Sequence, residues 1–186
     1  MKTSPSTLEH AILGMLSFQP RSGYDVRRAF LTNLRYYSDS PGTIYPALRR
    51  LETRRWIESA PAGQVGAESR SRRPFTLTPA GRQELIAWLE QPIAEGDFAQ
   101  RLSELFLRFT YMGANIPREK TLGFLRDLEA GLTARAAEQR RKYDEVRKVA
   151  LPFHTGVLSM LLGVETTEAQ ARWAGTALAL LEEKSA

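Results

Sequence analysis

Gly42-Thr43-Ile44-Tyr45-Pro46-Ala47-Leu48-Arg49-Arg50-Leu51 is the stretch that decides the fold. Its apolar residues Ile44, Ala47, Leu48 and Leu51 stand at i, i+3, i+4 and i+7, one face of an α-helix. Ser40 suits the N-cap and Pro41 the first helical position. Gly42, Pro46, Arg49, Arg50 and Thr53 point broadly the other way, with Tyr45 at the flank. A helix that packs one side and offers arginines and small polar groups on the other has the division a recognition helix in a DNA groove needs. Arginine suits the task because its fork binds guanine O6 and N7 together. Thr43 and Tyr45 stand near the helix N-terminus, where hydroxyls and free N–H groups hold phosphates. Pro46 is expected to remove one helical hydrogen bond, and Gly42 four residues earlier to ease the crowding.

On either side the pattern continues. Ser6 and Glu9 read as a capping box opening a helix whose face is Leu8, Ala11, Ile12, Met15 and Leu16. Pro20 breaks it, and Ser22 with Asp25 caps a short second helix. After the central stretch, Trp56 and Ile57 enter a strand, residues 60–71 read as a loop, and Phe75 to Thr78 alternate as a second strand. Three helices followed by a hairpin is the order of a winged helix. Arg70, Arg72 and Arg73 fall at the tip or return of that hairpin, a cluster that suits phosphate or minor-groove contact; taken alone it also fits a solvated turn.

Charge follows the same division. Up to Ile93 there are 13 Lys/Arg against 8 Asp/Glu; from Ala94 onward there are 13 against 13. A basic first half joined to a neutral second half points to a polyanion partner for the first half only. At 42% hydrophobic the chain can bury a core. The absence of cysteine excludes disulfides, thiolate nucleophiles and Cys metal sites, and fits a cytoplasmic location. No apolar run approaches the ~18 residues of a membrane span, and Met1 to Pro5 lack the apolar stretch of a secretory signal.

Thr78-Pro79 caps a fourth helix, and Gln91 to Asp97, with Pro92 and Gly96, is the boundary candidate. This divides the chain into a winged helix-turn-helix over 1–93 and a helical dimerisation and effector domain over 94–186, a mainly α fold with one small hairpin. In the second part Leu102, Leu105, Phe106 and Phe109 form another helical set. Pro117 opens a helix of roughly 30 residues, longer than a small domain usually covers, which points to a partner helix from a second copy. Leu125, Leu132 and Trp173 are the expected dimer contacts.

The motifs Leu8 to Leu16, Ser22-Gly23-Tyr24-Asp25, Gly42 to Glu52 and Leu77-Thr78-Pro79-Ala80-Gly81-Arg82 resemble the PadR family of transcriptional regulators. The resemblance covers about Leu8 to Leu89 by motif, and the remainder by length and helical pattern. It implies a cytoplasmic homodimer that acts on a double-stranded operator, usually as a repressor, often released by a small aromatic or drug-like effector. By the same resemblance the DNA-contacting helix maps to Pro41–Trp56, with Thr43, Tyr45, Arg49 and Arg50 as contacts, and the wing to Glu58–Thr78. Ser40, Pro46, Thr53, Arg70, Arg72 and Arg73 complete the expected DNA surface. The chain departs from the family at Arg73-Pro74-Phe75-Thr76, where one aromatic and one basic residue of the usual stretch are absent.

No enzyme chemistry is legible. His10 and His154 fall in different halves and have no metal-ligand spacing; His10 reads as a packing or surface residue and His154 as a turn residue. No metal or cofactor is expected. Trp88, Phe98, Phe106, Phe109 and Trp173 are candidates for an effector pocket, against the plainer reading of helix-bundle core. The competing function is a winged-helix module that binds protein and not DNA.

Overall fold

Ser6 opens the first helix as its sequence promised. Its hydroxyl accepts from the Glu9 amide at 3.3 Å while the Glu9 carboxylate accepts from the Ser6 amide at 2.8 Å. The computed structural model describes residues 4–32, 41–59, 73–149 and 155–183. In chain order these hold α1 (Thr7–Phe18), β1 (Arg21–Ser22), α2 (Gly23–Thr32), a 3₁₀ turn at Pro41–Thr43 leading into α3 (Ile44–Thr53), β2 (Ile57–Ser59), β3 (Pro74–Leu77), α4 (Pro79–Leu89), α5 (Asp97–Gln100), α6 (Leu102–Asn115), α7 (Arg118–Val149) and α8 (Thr155–Glu183). The fold class is the one expected: mainly α, with a winged helix. Among the described residues no helix is long and apolar enough to cross a membrane.

Ser22 and Asp25 bond reciprocally, side chain to backbone, at the start of α2. The three strands form one antiparallel sheet in the order β1-β3-β2, with Arg21 opposite Phe75 and Ile57 opposite Leu77. β1 has only two residues and was read from the sequence as a plain break.

The chain leaves α3 through a tight reversal. Arg55 takes φ 59, its N–H reaches the Glu52 carbonyl, and the Trp56 N–H reaches the Leu51 carbonyl. This is a Schellman ending with arginine where glycine is usual. The Trp56 carbonyl then accepts from both the amide and the hydroxyl of Thr78, at 3.0 Å each. Gly81 must be glycine here: a Cβ on it would lie 2.0 Å from that same carbonyl oxygen. Helix end, hairpin root and α4 start are thereby tied at one atom.

Two compact units emerge. The first joins Met1–Gln91 to Ser103–Pro117; the second joins Pro92–Leu102 to Arg118–Ala186. This division differs from the boundary read near residue 93 at one element, α6, which packs with the winged helix. Gly14 on α1 lies against the Tyr111 ring, and the buried Arg108 donates to the carbonyls of Leu89 and Gln91. With α3, α4, β3 and α6 around it, α1 is buried on every side from Leu8 to Leu16, not on one stripe alone.

In the second unit α7 and α8 run antiparallel. Arg118 donates to the Leu181 carbonyl, Gly175 lies against Glu129, and Arg140 pairs with Glu168 at 2.8 Å. Leu125, Leu128 and Leu132 are fully covered within this pair of helices. That corrects the expected dimer contacts: Leu125 and Leu132 offer a partner no surface, and of the three only Trp173, 40% exposed, faces outward.

Candidate nucleic-acid interface

The apolar face of α3 is where the periodicity put it: Ile44, Ala47, Leu48 and Leu51 are buried. Pro46 is the third residue of the helix, inside the first turn, where backbone N–H groups have no intrahelical partner in any case. The lost hydrogen bond expected from the sequence is therefore not lost.

The polar residues of α3 fall into two sets. On one flank Arg50 Nε donates to Glu9 Oε1 at 2.8 Å, and Arg54 Nη1 stands 3.6 Å from Glu9 Oε2. Glu9 is almost wholly buried. Burial on its own would raise its carboxyl, but the Ser6 amide and the two guanidiniums outweigh it and hold the group below the ordinary carboxylate range. Arg50 was expected as a DNA contact; it serves first as the counter-charge of a buried carboxylate, with its side chain half exposed.

The other flank faces the hairpin. Tyr45 packs over Gly23 at the start of α2 and stays largely exposed. Arg49 is exposed, and Thr53 donates back to the Arg49 carbonyl at 2.9 Å. Glu52 accepts a 2.8 Å hydrogen bond from Ser59 on β2. Across from them Arg73 precedes β3. Among the described residues no hydrogen bond or ion pair engages the side chain of Arg49 or Arg73. A cleft of about 270 Å³ lies between the two walls, lined by Tyr45, Arg49, Glu52, Ser59, Arg73 and Phe75 among others. Thr43 and Pro46 are exposed at the N-terminal end of the same helix. Ser40, Arg70 and Arg72 lie outside the described residues, as does His154.

Sequence reasoning missed Glu9, Glu52 and Ser59 as parts of this surface. For Glu52 the signal was present, since it stands three residues after Arg49. For the Glu9–Arg50 pair, 41 residues apart, there was none.

The aromatic residues proposed for an effector pocket divide between the units. Trp88 belongs to the first unit's core: it stacks on His10 with centroids 4.7 Å apart and planes 1° apart, and its Nε1 donates to Glu104 at 3.0 Å. It has no surface left for a ligand. Phe106 and Phe109 are half-buried on α6 in the same unit. In the second unit Phe98 packs its ring against Gly131 of α7, and Trp173 is exposed on α8. His10 is buried and bonded to Glu84 at 3.2 Å; burial lowers its pKa, and the nearby Glu84, Glu104 and Glu9 offset only part of this. Of the packing or surface role expected for His10, packing is the one observed.

The model of the transcriptional regulator PadR-like family matches residues 12–87, which run from α1 into α4. The matched segment, most of the winged helix, is PadR-like. The family that this segment matches is one of transcriptional regulators. The chain is 27% identical over 148 residues to the negative transcriptional regulator PadR of Bacillus subtilis, covering 78% of each protein. It is also similar to two crystal structures of Bacillus subtilis PadR. One is in complex with operator DNA (23% identity, TM-score 0.44, 95% of this chain and 99% of that one). The other is in complex with p-coumaric acid (24% identity, TM-score 0.43, 98% and 99%).

Proposed function

We propose that this protein is a homodimeric, cytoplasmic repressor that holds a double-stranded operator with α3 and the hairpin. The observation that carries the reading is the open flank of α3: Tyr45, Arg49 and Thr53 stand outward beside Arg73, and neither arginine has a side-chain partner among the described residues. The negative regulator of Bacillus subtilis, at 27% identity over most of both chains, supports repression.

The dimer reading now rests on α8. Leu158, Leu162, Trp173 and Leu180 are between 40% and 68% exposed. At 100° per residue they lie within about 60° of one another, on one face along some 30 Å of helix that Glu165 and Thr176 share. A second copy laid along this face would bury it. Twofold pairing then presents two recognition helices to half-sites about 34 Å apart. Release by a small aromatic or drug-like effector extends the reading; a ligand titration of the protein–operator complex tests it, and a broad screen with no shift in affinity removes it.

The primary test is binding of the purified protein to DNA from upstream of its own coding region, against a scrambled duplex of equal length, at two salt concentrations. Preference for the upstream duplex that survives the higher salt is expected. Equal binding to both duplexes, erased by salt, would leave only a basic surface, and binding to neither would shift the reading to a protein partner. For the dimer, Leu162→Lys with Leu180→Lys is expected to give a folded monomer by light scattering; an intact dimer would move the interface elsewhere.

A further inference from the structure

We propose that the cleft between α3 and the hairpin seats one backbone phosphate of the bound DNA, clasped by Arg49 from the helix and Arg73 from the hairpin. The inference rests on the DNA-binding reading and deepens it: Arg49 moves from a base edge to the backbone.

Four observations carry it. The first is charge. The lining holds two guanidiniums and one carboxylate, Glu52, a net charge of +1 that matches the single negative charge of a phosphodiester. Glu52 also limits the seat. Its Oε1 is engaged by the Ser59 hydroxyl at 2.8 Å, and its remaining charge repels a second phosphate from that end of the cleft.

The second is availability. Arg50 and Arg54 stand on Glu9, whereas no hydrogen bond or ion pair among the described residues engages Arg49 or Arg73. Guanidinium forks bind phosphate oxygens in pairs, so two forks on opposite walls can take one phosphate from both sides.

The third is size. At about 270 Å³ the cleft equals roughly nine water volumes, taking ~30 Å³ for each. That admits a phosphodiester and the edges of its sugars, for which the Tyr45 and Phe75 rings form apolar walls.

The fourth is topology. β2 begins four residues after α3 ends, and the hairpin root is pinned to that helix end through the Trp56 carbonyl. A helix lying in a groove with a hairpin fixed beside it must straddle the strand of backbone that borders the groove. The cleft is a space between those two walls.

The test uses the full chain and four proteins: the native one, Arg49→Ala, Arg73→Ala and the double variant. Affinity for a duplex is followed as a function of salt. Each neutralised phosphate contributes about 0.9 to the slope of log K against log salt. Each single variant is expected to lose about 0.9 of slope, and the double variant no more than that same 0.9. Losses of about tenfold are expected in equal proportion on the preferred and the scrambled duplex. Arg49→Lys, which keeps the charge, restores the slope.

A second measurement locates the seat. Duplexes carrying one methylphosphonate linkage at each position in turn are offered to all four proteins. One linkage is expected to weaken the native protein about tenfold and to have no further effect on either alanine variant. A loss of ~1.8 in the double variant would place the arginines on separate phosphates and overturn the proposal. So would a selective loss of preference for one sequence in Arg49→Ala, the mark of a base contact. If the native protein binds no duplex at all, the DNA-binding reading itself falls.

Discussion

The two flanks of α3 use the same side chain for opposite ends. On the flank toward α1, Arg50 and Arg54 close on a buried carboxylate and are part of how the unit holds together. On the flank toward the hairpin, the side chains of Arg49 and Arg73 close on nothing among the described residues. One step of sequence, Arg49 to Arg50, turns the side chain by about 100° and changes its role from reaching outward to bracing the core. Basic residues on α3 are therefore not one class, and a substitution that treats them alike confuses loss of binding with loss of fold.

Four experiments break or sharpen that contrast. The largest effect is expected at the hairpin root. Gly81→Ala drives a methyl group into the Trp56 carbonyl and should destabilise the protein by about 3 kcal/mol in urea unfolding, since backbone on both sides has to move. An unchanged midpoint would mean the root is looser than it looks. Next comes the braced flank. Arg50→Ala leaves Glu9 buried with only Arg54 nearby and is expected to destabilise by about 2 kcal/mol, below the full value for a buried pair because Arg50 is half exposed.

Acid should act on the same neighbourhood. His10 is held neutral by burial, so its folded pKa lies below the ordinary 6.5. Its contribution to stability is full above 6.5 and declines as the pH falls below that value. Glu9, also depressed, contributes fully above 4.5 and loses its contribution as the pH drops through its folded value. Unfolding midpoints are thus expected to fall in two stages on acidification, and His10→Gln should flatten the first; a single stage unaffected by that change would contradict this assignment. The smallest effect on stability belongs to the open flank. Arg49→Ala should leave the midpoint within about 0.5 kcal/mol while weakening DNA binding about tenfold.

What the sequence revealed and withheld follows from the range of each interaction. Capping boxes at Ser6 and Ser22, the buried face of α3 and the Thr78-Pro79 start of α4 are set within four residues, and all were legible. β1 and α5, two and four residues long, are too short to carry a period. The full burial of α1 was hidden because His10 and Glu9 are polar, and Trp88, Glu84, Arg50 and Arg54, distant in sequence, help make their burial tolerable. Leu125 and Leu132 of α7 were assigned to the wrong cover: they are buried where α7 packs on α8 of the same chain.

The chain's path has a consequence for anyone wishing to borrow its winged-helix half. It leaves the first unit at Gln91 and returns at Ser103 to lay down nearly all of α6. A fragment severed at residue 93 would strip Tyr111 from Gly14, Glu104 from Thr7 and Trp88, and Arg108 from the end of α4. The winged helix here is not a detachable cassette. A chimera that transplants it has to carry the sequence through Pro117, and with it the segment 92–102 that belongs to the other unit.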